Sequence, residues 1–284
     1  MAKKSKSMGN ATVYAIVFII TFTASIFVSY FLVSSNPNIL STLAKLLPRG
    51  NVAPKTSSLD SSGDAEMVKA DNIDGSLVNQ ALLGLPIPES ELVSTTFFKD
   101  TLFVGDSLTL GLKNYGVMSF NNVVAYDGID IDGVMNRPVF ETEEGYATVL
   151  EAMRDYNPKQ IYIMLGTNSI QYTAVDLMIS QYTQLIEMVR KQHPGSVIFM
   201  QSILPVGYSY ELNNPLHSNE KIDQVNEQLL ELCADYEVYY LDVASAFKDE
   251  NGYLNSIYSP NDGLHLSATG YDAWVEYLRT HTVS

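Results

Sequence analysis

The sequence predicts an α/β domain over residues 92–284, built on a parallel sheet with helices on both faces. Two observations carry that expectation. Short, solid apolar runs recur along this stretch, and a run without polar alternation is what a strand buried on both faces looks like. Between the runs lie segments whose apolar residues fall at helical spacing. Strand and helix so alternate to the end of the chain, with no internal repeat.

The chain begins differently. Residues 1–10 are short and basic, with Lys3, Lys4 and Lys6. Ala11–Val33 then runs for 23 residues without one charged side chain. At about 1.5 Å per residue, a helix of that length crosses a hydrocarbon core of roughly 30 Å. The lysines crowd its N-terminal side, whereas Lys45 and Arg49 follow at a distance, so a spanning helix would leave the N-terminus in the cytoplasm and the body outside. A cleaved signal peptide is the alternative, with small residues at Val33-Ser34-Ser35. The run is long for such a segment, and an uncleaved single-pass anchor in the cell membrane is expected. Residues 34–91 read as a stalk, interrupted by Pro37, Pro48 and Pro54 and loosened by Ser57-Ser58 and Ser61-Ser62-Gly63.

From residue 92 the chain enters the domain. Leu102-Phe103-Val104 is the first strand and Val123-Val124-Ala125 the second. Gly145–Tyr156 is expected as a helix with Ala147, Leu150 and Met153 on one face. Gln160–Leu165 forms a third strand. Thr173–Gln192 follows as a longer helix with Met178, Tyr182, Leu185 and Val189 inward, and Pro194-Gly195 ends it. Val197–Met200 is the fourth strand. His217–Asp235 is a helix with Ile222, Val225, Leu229 and Leu232 as its inner stripe. The lone cysteine, Cys233, lies beside that stripe as a small buried apolar residue and can form no intrachain disulfide. Val238–Leu241 is the fifth strand, and a last helix from about Ser267 carries Tyr271, Trp274, Val275 and Leu278.

Charge narrows the function. Three of the 17 basic residues precede Ala11 and none of the 32 acidic residues precedes Asp60, so the remainder of the chain holds 14 basic against 32 acidic side chains, a formal −18. A body so acidic is a poor partner for nucleic acid or other phosphate-rich polymers. No metal-ligand cluster is visible, and no cofactor is expected.

Three short motifs stand at the ends of predicted strands. In Gly105-Asp106-Ser107-Leu108 a strand breaks at glycine and turns into a helix, which exposes backbone N–H groups beside a serine. That serine could attack a carbonyl; Asp106 or Ser107 could equally be only an N-cap. In Gly166-Thr167-Asn168 the Asn168 amide could donate to an oxyanion, or simply suit a turn. In Asp262-Gly263-Leu264-His265 a carboxylate three residues before a histidine can reach Nδ1–H and so fix the tautomer of a general base. The other histidines are less suited: His193 reads as a solvated helix end, His217 as a surface residue opening a helix, and His281 as part of the tail.

Together these motifs resemble the SGNH hydrolase superfamily, also called GDSL hydrolases, over roughly Thr101–Ser284 and in the family's order. The resemblance implies a three-layer, flavodoxin-like fold with a five-stranded parallel sheet of order 2-1-3-4-5. It implies Ser107 as nucleophile, His265 as general base and acid, and Asp262 as its orienting partner. The oxyanion hole would comprise the Ser107 N–H, the Asn168 side chain and a glycine N–H, best matched by Gly133 in Ile131-Asp132-Gly133, with Gly128 as rival. The expected activity is hydrolysis of small acyl esters, above all O-acetyl groups on carbohydrate or cell-wall glycan, by an extracytoplasmic, membrane-tethered serine esterase. Acyl transfer to a sugar hydroxyl, cleavage of lipid esters and a non-catalytic glycan-binding role are the alternatives. Composition gives no oligomeric state.

Overall fold

The structure is a computed structural model that describes residues 80–118 and 122–283. The expected spanning helix and most of the stalk lie outside these residues. Among the described residues no helix is long and apolar enough to cross a membrane.

Five parallel strands form the main sheet: β1 (Thr101–Gly105), β2 (Val123–Ala125), β5 (Gln160–Met164), β6 (Val197–Gln201) and β7 (Tyr239–Leu241). Their order is β2-β1-β5-β6-β7, the expected 2-1-3-4-5. The order reverses at β1, so the loops after β1, β2 and β5 converge at one edge-on crevice. Each strand sends alternate residues to opposite faces. Leu102 and Val104 of β1 join one core with Ile161, Ile163, Ile198, Met200 and Tyr240. Phe103 joins the other with Tyr162, Phe199 and Tyr239. Those four rings sit on paired positions of neighbouring strands, with centroid separations of 5.3, 4.4 and 5.2 Å. An aromatic ladder therefore runs across one face of the sheet, where pair contacts stabilise each register by about 0.5–1.5 kcal/mol beyond burial.

Helices close both faces. α1 (Ser107–Asn114), α8 (Val243–Phe247) and α9 (Ala268–Thr280) cover the aromatic side through Leu108, Leu112, Phe247, Tyr271, Trp274 and Leu278. The other face is covered by α2 (Ile131–Asn136), α5 (Val175–Gln192) and α7 (Asn219–Asp235), with Met178, Tyr182, Leu185 and Val189 of α5 inward. Cys233 is buried in that second core, and burial pushes its thiol well above the ordinary range.

Two segments depart from the sequence expectation. Residues 145–156 are not one helix. Phe140–Thr142 (β3) and Gly145–Ala147 (β4) pair as an antiparallel hairpin, and the helix α3 spans only Val149–Ala152. The reason is a capping box: Thr148 Oγ1 accepts from the Glu151 N–H while Glu151 accepts from the Thr148 N–H, which fixes the helix start at residue 149. The domain also begins ahead of Leu92. The Ile87 N–H donates to Tyr240 O, and the Ser90 N–H donates to Thr280 O, so this length of chain lies along β7 and the end of α9.

Candidate active site

The site is built at the strand-to-helix turn after β1. Gly105 ends that strand because no side chain fits there: a Cβ would lie 2.3 Å from the Met164 carbonyl and 2.0 Å from Thr109 Oγ1. Asp106 is the N-cap of α1, its Oδ1 accepting from the Leu108 N–H at 3.0 Å. Ser107 is the first residue of the helix and half-buried, so its N–H has no intrahelical acceptor and its side chain faces the crevice. Asp106 caps, which leaves Ser107 free for chemistry.

His265 and Asp262 come from the loop between α8 and α9. The Ser107 Oγ and His265 Nε2 are 3.3 Å apart. The His265 Nδ1–H donates to Asp262 Oδ2 at 2.8 Å. With the carboxylate as acceptor, the proton belongs on Nδ1, and Nε2 is left as acceptor for the Ser107 hydroxyl. The remaining oxygen of Asp262 accepts from the Leu264 and His265 backbone N–H groups, each at 2.9 Å. Burial alone would push the Asp262 carboxyl up, but the His265 side chain and those two N–H groups outweigh it and hold the carboxyl below the usual range. Side-chain exposure of 51% for His265 and 47% for Asp262 leaves the pair open to solvent. Ser259, which sequence reasoning passed over, anchors the loop by donating from Oγ to the His265 carbonyl at 2.7 Å.

Asn168 begins the turn after β5, in the short helix α4 (Thr167–Ile170). Its Nδ2 donates to the Ile129 carbonyl at 2.9 Å and lies 3.4 Å from Asp106 Oδ2. The amide so ties together the three loops that meet at the crevice. Gly133 is placed otherwise than the oxyanion-hole expectation required. It lies inside α2, and its N–H donates at 3.0 Å to Asp130 Oδ1, the N-cap of that helix. A donor engaged in a helix cap is not free to meet an oxyanion. The rival, Gly128, is an exposed turn residue at φ +65° whose carbonyl accepts from Arg137. The capping signal, Asp130 three residues before Gly133, was present in the sequence and unread.

The other histidines stay outside this arrangement. His193 closes α5 and is buried, not solvated. His281 stacks on Tyr277 at 3.8 Å. His217 is also buried, at 3% exposure, edge-on to Tyr210, and burial followed by the Lys221 charge lowers it to about 4. Protonation of His217 is thus confined to strongly acid solution.

Asp106 is the residue whose importance the sequence understated. Its carboxyl is fully buried beside the nucleophile, and burial raises it to about 7 despite the Leu108 N–H and the nearby His265. A carboxyl raised above its unfolded value binds more protons in the fold, so it weakens the fold as pH climbs from about 4 to 7. Asp106→Asn should therefore gain on wild type across that interval, by up to about 4 kcal/mol at pH 8. Chemical denaturation of both proteins at pH 4.5 and 8 checks this; a constant difference between them would exclude it.

Residues 103–273, more than half of the chain, match the model of the GDSL-like lipase/acylhydrolase family. No curated protein matches. Among solved structures, a Streptococcus pneumonia protein provisionally described as a platelet activating factor is 26% identical, with a TM-score of 0.51 over 63% of this chain and 82% of its own. A GDSL-like lipase from Bacteroides thetaiotaomicron is 16% identical, with a TM-score of 0.49 over 66% of this chain and 90% of its own. An acetyl-xylooligosaccharide esterase from Geobacillus is 15% identical, with a TM-score of 0.46 over 63% and 91%. The family match spans the β1 turn, the β5 turn and the Asp262–His265 loop alike, and the chain belongs to the GDSL-like lipase/acylhydrolase family as an ester-hydrolysing serine hydrolase.

Proposed function

We propose that this hydrolase is an extracytoplasmic esterase, tethered to the membrane by residues 11–33, that removes small acyl groups, chiefly O-acetyl, from carbohydrate or cell-wall glycan. The observation that carries the chemistry is the hydrogen-bonded line from Ser107 Oγ through His265 to Asp262. Ser107 Oγ attacks the ester carbonyl as His265 Nε2 takes its proton. The resulting imidazolium is held by Asp262, whose carboxyl stays ionised because the His265 Nδ1–H and the Leu264 and His265 backbone N–H groups all donate to it. His265 then gives that proton to the sugar oxygen as its bond to the acyl carbon breaks, so that the sugar leaves as a free hydroxyl. A water attacks the acyl-enzyme by the same route in reverse. The negative charge on the tetrahedral oxygen would meet the Ser107 N–H at the start of α1 and the Asn168 amide.

Placement outside the membrane rests on charge: Lys3, Lys4 and Lys6 lie close before an uncharged 23-residue run, whereas Lys45 and Arg49 follow it at a distance. The glycan preference rests on that placement and on analogy within the family. The experiment is hydrolysis by the full-length chain of 4-nitrophenyl acetate, butyrate and octanoate, then of acetylated xylan and acetylated peptidoglycan. The expected order is acetate above octanoate, with acetate release from at least one glycan. Preference for octanoate with no release from either polymer would replace the glycan reading by a lipid one. For topology, protease added to intact cells should remove the body while sparing the N-terminus. A body shed into the medium and beginning near Asn36 would identify residues 11–33 as a cleaved signal.

A further inference from the structure

A cleft of about 550 Å³ opens between α6 (Tyr208–Asn213) and the loop that follows α8, with Asp262 and Gly263 in its lining. Its size falls within the range of small-molecule sites. Its two walls are tied at the base. The Gly207 N–H donates to the Gly263 carbonyl at 2.7 Å, and the Leu254 N–H donates to the Val206 carbonyl at 3.0 Å. Asp249 Oδ1 accepts from the Asn251 and Tyr253 N–H groups, which fixes the far loop. The approach at Gly207 is so close that a Cβ there would lie 3.0 Å from Gly263 Cα. The cleft is preformed, and it shares a wall with the loop that carries the general base.

The lining states what it would take. Tyr208 and Tyr253 meet edge to face at 5.3 Å and make an aromatic corner, with Tyr208 left 60% exposed. The same two rings also line a smaller, more apolar depression of about 290 Å³ that runs along α6, so the surface continues beyond the cleft. Asn213 and Asn261 supply amides, which both donate and accept. Asp249 and Asp262 are the charged lining residues, and no Lys or Arg is among them. Carboxylates without a cation disfavour phosphate, sulfate or uronate. Exposed aromatic faces with flanking amides suit an uncharged ligand that is apolar on its ring faces and hydroxylated at its edges.

We propose that this cleft seats one sugar unit of a neutral oligosaccharide whose neighbouring unit presents the ester to Ser107, so that the protein reads a glycan chain and not an isolated acylated sugar. The inference rests on the glycan esterase reading above. Two measurements on the full-length chain separate the two. Calorimetric titration with unacetylated xylohexaose and chitohexaose should show binding of at least one, weakened about ten-fold or more in Tyr208→Ala and Tyr253→Ala and retained in Tyr208→Phe and Tyr253→Phe. For acetylated oligosaccharides of two, four and six units, kcat/KM should rise with length in the wild type and flatten in the alanine variants. Tyr208 is mostly exposed, so its alanine variant should keep the wild-type melting temperature. Absence of binding by either hexasaccharide, or a length dependence untouched by Tyr208→Ala, overturns the cleft. Hexasaccharide binding sensitive to Tyr208 without release of acetate from any glycan leaves the cleft standing and overturns the esterase reading instead.

Discussion

Ser107→Ala is expected to abolish ester hydrolysis, lowering kcat by about 10⁵–10⁶-fold, while leaving the fold unchanged. The two halves of that expectation have separate grounds. Without Oγ there is no acyl-enzyme, and His265 is left with no proton to take. Structurally, the Oγ is bonded to His265 alone, whereas the helix start is held by Asp106, whose carboxylate accepts from Leu108. Losing a half-buried hydroxyl that caps nothing should move stability by no more than about 0.5 kcal/mol. The measurements are turnover of 4-nitrophenyl acetate, labelling by a fluorophosphonate, and melting temperature against wild type. Turnover within ten-fold of wild type, with the melting temperature matched, would remove Ser107 from the chemistry.

The contrast between what was legible and what was not has a physical basis. All five main-sheet strands could be read because each is a solid apolar run, and a strand buried on both faces has no other way to be written. The Asp262–His265 pair could be read because three residues of spacing lets a carboxylate reach an imidazole within one loop. The hairpin at Phe140–Ala147 could not, since exposed Glu141, Thr142, Glu143 and Glu144 carry no apolar alternation, and Leu150 and Met153 suggested one longer helix. Gly133 was misplaced because a glycine after a strand looks like a loop donor, while its N–H is in fact claimed by Asp130 three residues earlier. His217 and His193 looked like surface residues by composition. Burial is decided by the elements that pack over them, which for His217 is the Tyr210 ring. The environment of Asp106 is a similar case: a capping residue can be named from sequence, but full burial of its carboxyl depends on three loops from distant parts of the chain.

Asn168 is where those three loops meet, and outside the Ser107–His265–Asp262 line its replacement should produce a large effect on turnover. Its Nδ2 gives one good hydrogen bond to Ile129 O at 2.9 Å and one long contact to Asp106 Oδ2 at 3.4 Å. The long contact is the one a developing oxyanion at Ser107 would displace, because at 3.4 Å it is the weaker of the two bonds. Asn168→Ala should then lower kcat by roughly 10²–10³, or about 3–4 kcal/mol, with KM changed little, since the bond strengthens only in the transition state. Asn168→Asp should be worse in a second way. It sets another carboxyl against the Ile129 carbonyl and within reach of buried Asp106, where two ionised groups cannot coexist. Both carboxyls would be raised above their unfolded values, so the variant should lose stability as pH rises from about 4 to 8 and recover part of it on acidification. The measurements are kcat, KM and melting temperature of both variants at pH 5 and 8. If alanine costs only stability and leaves kcat within a few-fold, Asn168 is a tie between loops and the oxyanion must find its donors elsewhere.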